Sequence, residues 1–144
     1  MTASLLTEAL RACAAGIYTH EAGVSLLIAN RTILSRDDFT SRFITRNPTA
    51  ATAALDWAAA IAALDTGEIS CSGGEQRILL LAASIADGIP VSLSDTITGL
   101  DLRNASLVAL AIAHATGHAK SQTRQKMMKR PVQRRSSPAA GGVR

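Results

Sequence analysis

Residues 71–77 read Cys-Ser-Gly-Gly-Glu-Gln-Arg, and a long apolar run follows them. Ser72 and Glu75 have the spacing of a capping box, in which the hydroxyl accepts from the amide of Glu75 and the carboxylate accepts from the amide of Ser72. A helix is therefore predicted to begin here and to end near Gly88, because Pro90 prevents it from continuing. Since apolar residues surround its axis almost completely, we expect this helix to lie at the centre of a bundle.

The chain on either side of this helix predicts further helices. Apolar residues recur at helical spacing between start and stop signals. No segment alternates convincingly as a strand would, although residues 68–71 and 89–92 are short extended candidates. The predicted helices cover residues 4–15, 19–29, 35–44, 48–64 and 102–115, with one or two more helical turns beginning near Ser94. We therefore predict an all-α fold for residues 1–119, a compact bundle of six or seven short helices.

The opening segment resembles the Ser-Gly-Gly signature of ABC-type ATPases, in which amides at a helix N-terminus contact a nucleotide phosphate. Such a domain also requires a GxxxxGK[ST] loop and a hydrophobic strand that ends in Asp, and the 144 residues contain neither. We therefore interpret the segment as the cap of a buried helix. An anion or an acidic partner at the exposed helix end is the alternative, and its candidate binding residues are Ser72, Gly73, Gly74 and Arg77.

Charge divides the chain into two parts. Residues 1–119 contain seven basic and eleven acidic residues, a net charge of −4, whereas residues 120–144 contain eight basic residues and no acidic one, a net charge of +8. The second part has few apolar residues, so we expect a disordered basic tail. Its candidate nucleic-acid-binding residues are Lys120, Arg124, Lys126, Lys129, Arg130, Arg134 and Arg135. These side chains could neutralise phosphates without reading sequence, and a tail that is only solvated is an equal alternative.

Composition narrows the class of protein. A chain of 144 residues predicts one domain, and it has no apolar segment long enough to span a membrane. The two cysteines, Cys13 and Cys71, are too few for a disulfide framework and both have apolar neighbours. We therefore expect buried free thiols and a cytoplasmic location. Small side chains dominate, which leaves little room for a deep ligand pocket.

Two histidines suggest a metal site that the surrounding sequence does not support. His114 and His118 have HxxxH spacing, which on a continuous helix would place both imidazoles on one side. Gly117 is predicted to break the helix between them, and no third ligand is evident. We therefore predict no metal and no cofactor.

Catalytic side chains are also not evident. The acids Asp37, Asp38 and Glu75 fall in the first turns of predicted helices, where the helix dipole already accounts for them. Ser72 is not in a GxSxG motif, and Cys71 has no neighbouring base in the sequence to lower the pKa of its thiol. Serine or cysteine catalysis is therefore not predicted.

Residues 95–115 have the outline of a helix-turn-helix motif, with a turn at Gly99. A recognition helix needs an exposed polar face, and this second helix offers a DNA groove only Arg103, Asn104 and Ser106. We therefore interpret the last helix as part of the core.

Several segments carry a resemblance to a known family. They are LLIAN, RDDFTSRF, LDWAAAIAAL, CSGGEQRILLLAASIADGIPV and TGLDLRN, all between residues 26 and 117. This pattern resembles a family of small, Ala-rich, uncharacterised helical proteins predicted in actinomycete genomes. No activity is established for that family, so the resemblance implies no catalytic residue. Its members tend to stop soon after the last helix, and the basic tail departs from that pattern.

Taken together, the residues predict a non-enzymatic adaptor or regulatory protein. We expect its helical domain to bind a protein partner of unknown identity and its basic tail to contact nucleic acid. The alternative is a small helical ligand-binding domain or enzyme with a site at the N-terminus of the 73–88 helix. An exposed apolar patch would favour the first hypothesis, and a pocket of converging buried polar groups beside Ser72 would favour the second.

Overall fold

The computed structural model describes residues 3–118 of the chain. This part contains seven α-helices and one pair of short β-strands. The helices are α1 (Ala3–Ala14), α2 (Tyr18–Asn30), α3 (Asp37–Phe43), α4 (Trp57–Asp65), α5 (Gly73–Asp87), α6 (Leu93–Ile97) and α7 (Leu102–Ala115), and the strands are β1 (Ile44–Asn47) and β2 (Thr52–Leu55). A mostly helical fold is therefore confirmed. None of the helices within residues 3–118 has the length and apolar character needed to cross a membrane.

Helix α5 begins and ends where its local sequence signals predict. The Ser72 side chain accepts from the amide of Glu75, the Glu75 side chain accepts from the amide of Ser72, and Gly88 adopts the left-handed conformation with φ of 69°. Every residue from Ile78 to Ala86 is buried or half-buried. The predicted central position of this helix is confirmed.

Helix α2 shares that central position, because it packs against α1, α5 and α7. Gly23 makes the approach of α2 to α5 possible. A Cβ atom at Gly23 would lie 2.6 Å from the Cβ of Ala86 and 2.8 Å from the carbonyl oxygen of Ala82. The two helix backbones are therefore closer together than any residue with a side chain at position 23 would permit without a shift.

The prediction of one long helix over residues 48–64 is wrong. The prediction that the fold contains no strands is wrong as well. Strands β1 and β2 pair antiparallel, with Ile44 opposite Leu55 and Asn47 opposite Thr52. The side chain of Asn47 accepts from the amide of Ala50, and this contact forms a turn instead of a helix cap. The alanines after Asn47 favour a helix, but the packing of α1 on β2, which buries Ala53, outweighs that preference.

Helix α4 begins only after the hairpin. The Asp56 side chain caps it by accepting from the amide of Ala59 at 3.0 Å, and Trp57 is buried at its first position. Phe39 and Phe43 lie on the buried side of α3 as their spacing predicts, with ring centroids 5.2 Å apart. These aromatic rings and the apolar residues of α2 and α5 belong to one continuous core.

Candidate functional site

The predicted anion-binding residues do lie together at the N-terminus of α5, but two of their polar groups are already engaged. The amide of Glu75 donates to Ser72 Oγ at 3.2 Å, and the amide of Ser72 donates to Glu75 Oε1 at 2.9 Å. A carboxylate therefore already accepts one amide hydrogen at this helix end. Anion binding at Ser72, Gly73, Gly74 and Arg77 stays a prediction.

Arg77 lies across this helix end in contact with two glycines. Its guanidinium occupies the space where a Cβ atom at Gly99 would be, so a side chain at position 99 would displace the guanidinium. A Cβ atom at Gly73 would lie 3.0 Å from Arg77 Nη1. The half-buried side chain of Arg77 thus connects the start of α5 with the turn between α6 and α7.

Arg36 forms a polar cluster beside Glu75 that was not predicted from the sequence. Its Nε and Nη2 atoms donate to the two carboxylate oxygens of Asp38 at 3.0 and 2.6 Å. Its Nη1 atom donates to the Ser70 carbonyl oxygen at 2.8 Å and lies 3.5 Å from Glu75 Oε1. The hydrogen bond from Arg36 holds the pKa of the Asp38 carboxyl below its usual value. This cluster joins the start of α3 to the start of α5, and its single arginine pairs with both carboxylates.

The two cysteines differ in exposure. Cys71 is half-buried, with its Sγ atom 3.5 Å from Arg36 Nη1. Burial raises the pKa of its thiol above the ordinary value despite the neighbouring guanidinium, so the neutral and weakly nucleophilic form predominates at neutral pH. Cys13 is exposed, and the prediction that both thiols are buried is therefore wrong for Cys13.

The N-terminal end of α7 is attached to α2 by two polar side chains. Asn104 is buried, and its Oδ1 atom accepts from Asn30 Nδ2 at 3.0 Å. Arg103 Nη2 donates to the Ala29 carbonyl oxygen at 3.1 Å. Ser106 donates to the Leu102 carbonyl oxygen within α7 itself. The three residues that a helix-turn-helix interpretation would offer to DNA therefore hydrogen-bond to other residues of the domain, although Arg103 and Ser106 are exposed.

The C-terminal end of α7 is attached to α2 by His114. Its Nε2 atom lies 2.7 Å from Glu21 Oε1, and the other Glu21 oxygen accepts from the Gly16 amide at 2.8 Å. The Tyr18 ring meets the imidazole edge-on, with centroids 6.3 Å apart. His118 lies beyond Gly117, outside the helix. Within residues 3–118, no three His, Cys, Asp or Glu side chains lie close enough together to hold a metal ion.

The side of α7 opposite its buried residues Asn104, Val108 and Ala111 is mainly apolar and faces solvent. Relative exposure is 84% for Leu102, 65% for Leu110 and 49% for Ile112. Seven residues of α7 are exposed. We call this surface the α7 face and define it by the six of them other than Arg103, namely Leu102, Ala105, Ser106, Ala109, Leu110 and Ile112. The interpretation of α7 as core therefore holds only for the side that carries Asn104, Val108 and Ala111.

An open cavity of about 290 Å³ lies at a different place, between the start of α1 and the end of α2. Its lining is mainly apolar and includes Leu6, Ile28 and Leu34, with the side chain of Arg31 at its edge. It does not adjoin Ser72, where the alternative hypothesis would place a ligand.

The candidate nucleic-acid-binding residues lie outside the described residues. They are Lys120, Arg124, Lys126, Lys129, Arg130, Arg134 and Arg135. The prediction that the tail is disordered also concerns residues outside the described part of the chain.

Comparisons of the chain with protein-family models, with curated proteins and with solved structures find no match. The resemblance to the actinomycete family therefore stays a prediction.

Proposed function

We propose that the protein is a non-enzymatic adaptor or regulatory protein whose helical domain binds a protein partner through the α7 face. The observation that carries this proposal is the exposure of Leu102, Leu110 and Ile112 on the solvent-facing half of a single helix, with Leu110 and Ile112 toward its two edges. Large apolar side chains gain roughly 25 cal/mol for each Å² removed from water. Adjacent exposed apolar residues on a folded domain are typical of a protein-binding surface.

The attachment of α7 supports the same proposal. Hydrogen bonds from Asn30 to Asn104 and between His114 and Glu21 attach both ends of α7 to α2. The apolar side chains therefore belong to a helix that is already held in position in the absence of a partner. Such a surface loses little conformational freedom on binding, which favours affinity.

The first test is the substitution Leu110→Glu, which places a charge on the α7 face. We expect partner capture to fall at least about tenfold, because burying an unpaired carboxylate opposes association. Immobilised wild-type and variant protein would be incubated with extract of the source organism, and bound proteins compared by quantitative mass spectrometry. The binding of each candidate would then be measured with purified components.

The matched control is Leu5→Glu, because Leu5 on α1 is 52% exposed and the substitution is chemically identical. We expect this control to retain the partner. Equal capture by wild type and by Leu110→Glu would contradict the proposal, provided that circular dichroism shows both proteins folded.

We further propose that the basic tail contacts nucleic acid through phosphates. The supporting observation is the charge of +8 over residues 120–144. Binding of labelled duplex DNA and single-stranded RNA would be measured for the full chain and for a chain that ends at Ala119, each at low and high salt. We expect only the full chain to bind and its affinity to fall steeply with salt, because counterions are released from the phosphates. Equal binding by the shortened chain would place the contact on the helical domain instead.

The alternative function, a ligand-binding domain or enzyme with a site at the N-terminus of the 73–88 helix, has weaker support. The polar groups of Ser72 and Glu75 hydrogen-bond each other, and the cavity of about 290 Å³ is lined by residues of α1, α2 and the segment after α2. The α7 face is therefore the better-supported site.

A further inference from the structure

We infer that the open cavity between the start of α1 and the end of α2 binds a small apolar monocarboxylate. The carboxylate of this ligand pairs with the guanidinium of Arg31, and its hydrocarbon chain lies against the apolar wall. The site shares no residue with the α7 face, so the inference goes beyond the proposed function and does not depend on it. It follows from the apolar wall, the hydrogen bonds, the charge and the size of the cavity.

The wall of the cavity is suited to a hydrocarbon chain. Leu6 belongs to the buried core, and Ile28 and Leu34 are half-buried against that core. All three side chains also line the cavity. A hydrocarbon chain in the cavity would remove part of their surface from water, and this is the main favourable contribution to the binding of apolar ligands.

The hydroxyl groups that line the cavity already donate their hydrogens inside the protein. Ser4 donates to Glu8 Oε1 at 3.3 Å, and Thr7 donates to the Ser4 carbonyl oxygen at 2.9 Å. Ser35 donates to the Thr32 carbonyl oxygen at 2.8 Å. Because a hydroxyl has a single hydrogen, these groups have none left to donate to the oxygen atoms of a ligand.

Arg31 supplies the hydrogen-bond donors that the hydroxyls lack. Within residues 3–118, its guanidinium makes no ion pair or side-chain hydrogen bond. No acidic residue of this part of the chain lines the cavity, so the positive charge of Arg31 has no counter-charge there. A guanidinium binds a carboxylate through two parallel hydrogen bonds. One arginine compensates one negative charge, which favours a carboxylate over a doubly charged phosphate monoester.

The backbone conformation of Arg31 is a separate indication that this side chain serves binding. Arg31 follows the last residue of α2 and has a positive φ of 75°. Glycine adopts such a conformation without steric cost, whereas residues with a Cβ atom rarely adopt it. Stability alone would therefore favour glycine at this position. Conformations of this kind cluster at ligand-binding sites, where the side chain gives a function in return for the strain.

The volume of the cavity sets the size of the ligand and its expected affinity. The cavity measures about 290 Å³. At about 30 Å³ for each water-sized group, this volume holds roughly ten non-hydrogen atoms, which is the size of octanoate. Ligands of this size bind weakly unless every atom is well placed, so we expect a dissociation constant on the order of 0.3 mM.

Isothermal titration calorimetry of the full chain with octanoate tests the binding. Octan-1-ol and octylammonium carry the same hydrocarbon chain without a negative charge. We expect both to bind at least about threefold more weakly, a modest difference because Arg31 is exposed and water screens part of its attraction. Equal affinity for the three probes, or no binding of octanoate up to about 10 mM, would overturn the inference.

Nuclear magnetic resonance locates the bound octanoate. The largest chemical-shift changes should occur at Leu6, Ile28 and Leu34, and Leu110→Glu should leave the octanoate affinity unchanged. Shift changes centred on the α7 face, with affinity lost in Leu110→Glu, would show that octanoate binds the exposed apolar surface and would overturn the inference.

Substitutions of Arg31 test its role. Arg31→Gln should weaken octanoate binding at least about threefold. The matched control is Arg11→Gln, which should retain the wild-type affinity, because Arg11 hydrogen-bonds to Ser25 and does not line this cavity. Wild-type affinity in Arg31→Gln would overturn the inference.

Arg31→Gly separates binding from stability. It should weaken octanoate binding as Arg31→Gln does, while its urea midpoint should equal or exceed that of the wild type, because glycine relieves the strain at positive φ. A lower urea midpoint in both Arg31 variants, together with the loss of binding, would assign Arg31 a structural role and overturn the inference.

Discussion

Gly23→Ala is expected to lower the free energy of unfolding by about 1–2 kcal/mol. The added methyl group would lie 2.6 Å from the Cβ of Ala86 and 2.8 Å from the carbonyl oxygen of Ala82. Relieving these contacts requires α2 and α5 to separate along the centre of the core, and overpacking of this kind costs typically 1–3 kcal/mol, occasionally more. The gain in helix propensity from glycine to alanine, about 1 kcal/mol, offsets only part of the cost.

Gly74→Ala is the matched control for this prediction. A Cβ atom at Gly74 would meet only Asn104 Nδ2, at an ordinary distance of 3.7 Å. The same substitution in α5 should therefore leave stability unchanged or raise it slightly, because propensity acts without a clash. Urea denaturation followed by circular dichroism would give both values. Equal effects of the two substitutions would show that the contact between α2 and α5 is less tight than the structure indicates.

Asn104→Ala is expected to cost about 2–3 kcal/mol, since it leaves the buried Nδ2 group of Asn30 without its acceptor. Thr32 Oγ1 donates to Asn30 Oδ1 at 2.6 Å, so the Asn30 side chain cannot simply turn over to find another partner. The loss also releases the start of α7 from the end of α2. Urea denaturation measures the change in stability, and hydrogen exchange at the first amides of α7 measures the local release.

Two comparisons make the Asn104 prediction specific. Ser106→Ala removes a polar group from the same helix, but its hydroxyl is exposed and donates only within α7, so we expect a change of less than about 0.5 kcal/mol. In a double-mutant cycle, Asn30→Ala combined with Asn104→Ala should cost less than the two single changes added together. Additive effects would mean that the two amides do not stabilise each other.

Helix boundaries could be predicted where the deciding residues are neighbours in the sequence. The cap at Ser72 and the end of α5 at Gly88 depend on contacts within one helical turn, and so does the cap of α7, where Asp101 accepts from the Asn104 amide. The hairpin could not be predicted in the same way. The Asn47-Pro48 pair suits a helix start as well as a turn, and the alanines after it suit a helix. Packing of α1 against β2 decides between them, and the local sequence contains no signal for that contact.

The α7 face, like the hairpin, depends on contacts between residues that are distant in the sequence. An apolar helix over residues 102–115 is evident from the sequence, but which of its sides faces solvent depends on where α2 lies. Glu21 and His114 are 93 residues apart, and Asn30 and Asn104 are 74 apart. These two contacts orient α7, and no spacing rule relates residues at such separations. The α7 face therefore becomes visible only in the folded structure.

The carboxylate of Glu75 makes one local and one long-range contact. It accepts from the amide of Ser72, three residues before it, and it pairs with Arg36, 39 residues before it. The first contact forms within one helical turn, whereas the second requires closure of a long loop. Once the turn forms, the carboxylate is already held in place, so loop closure does not have to immobilise that side chain as well. A single side chain thus takes part in one local and one long-range contact, and its ordering by the first lowers the entropic cost of the second.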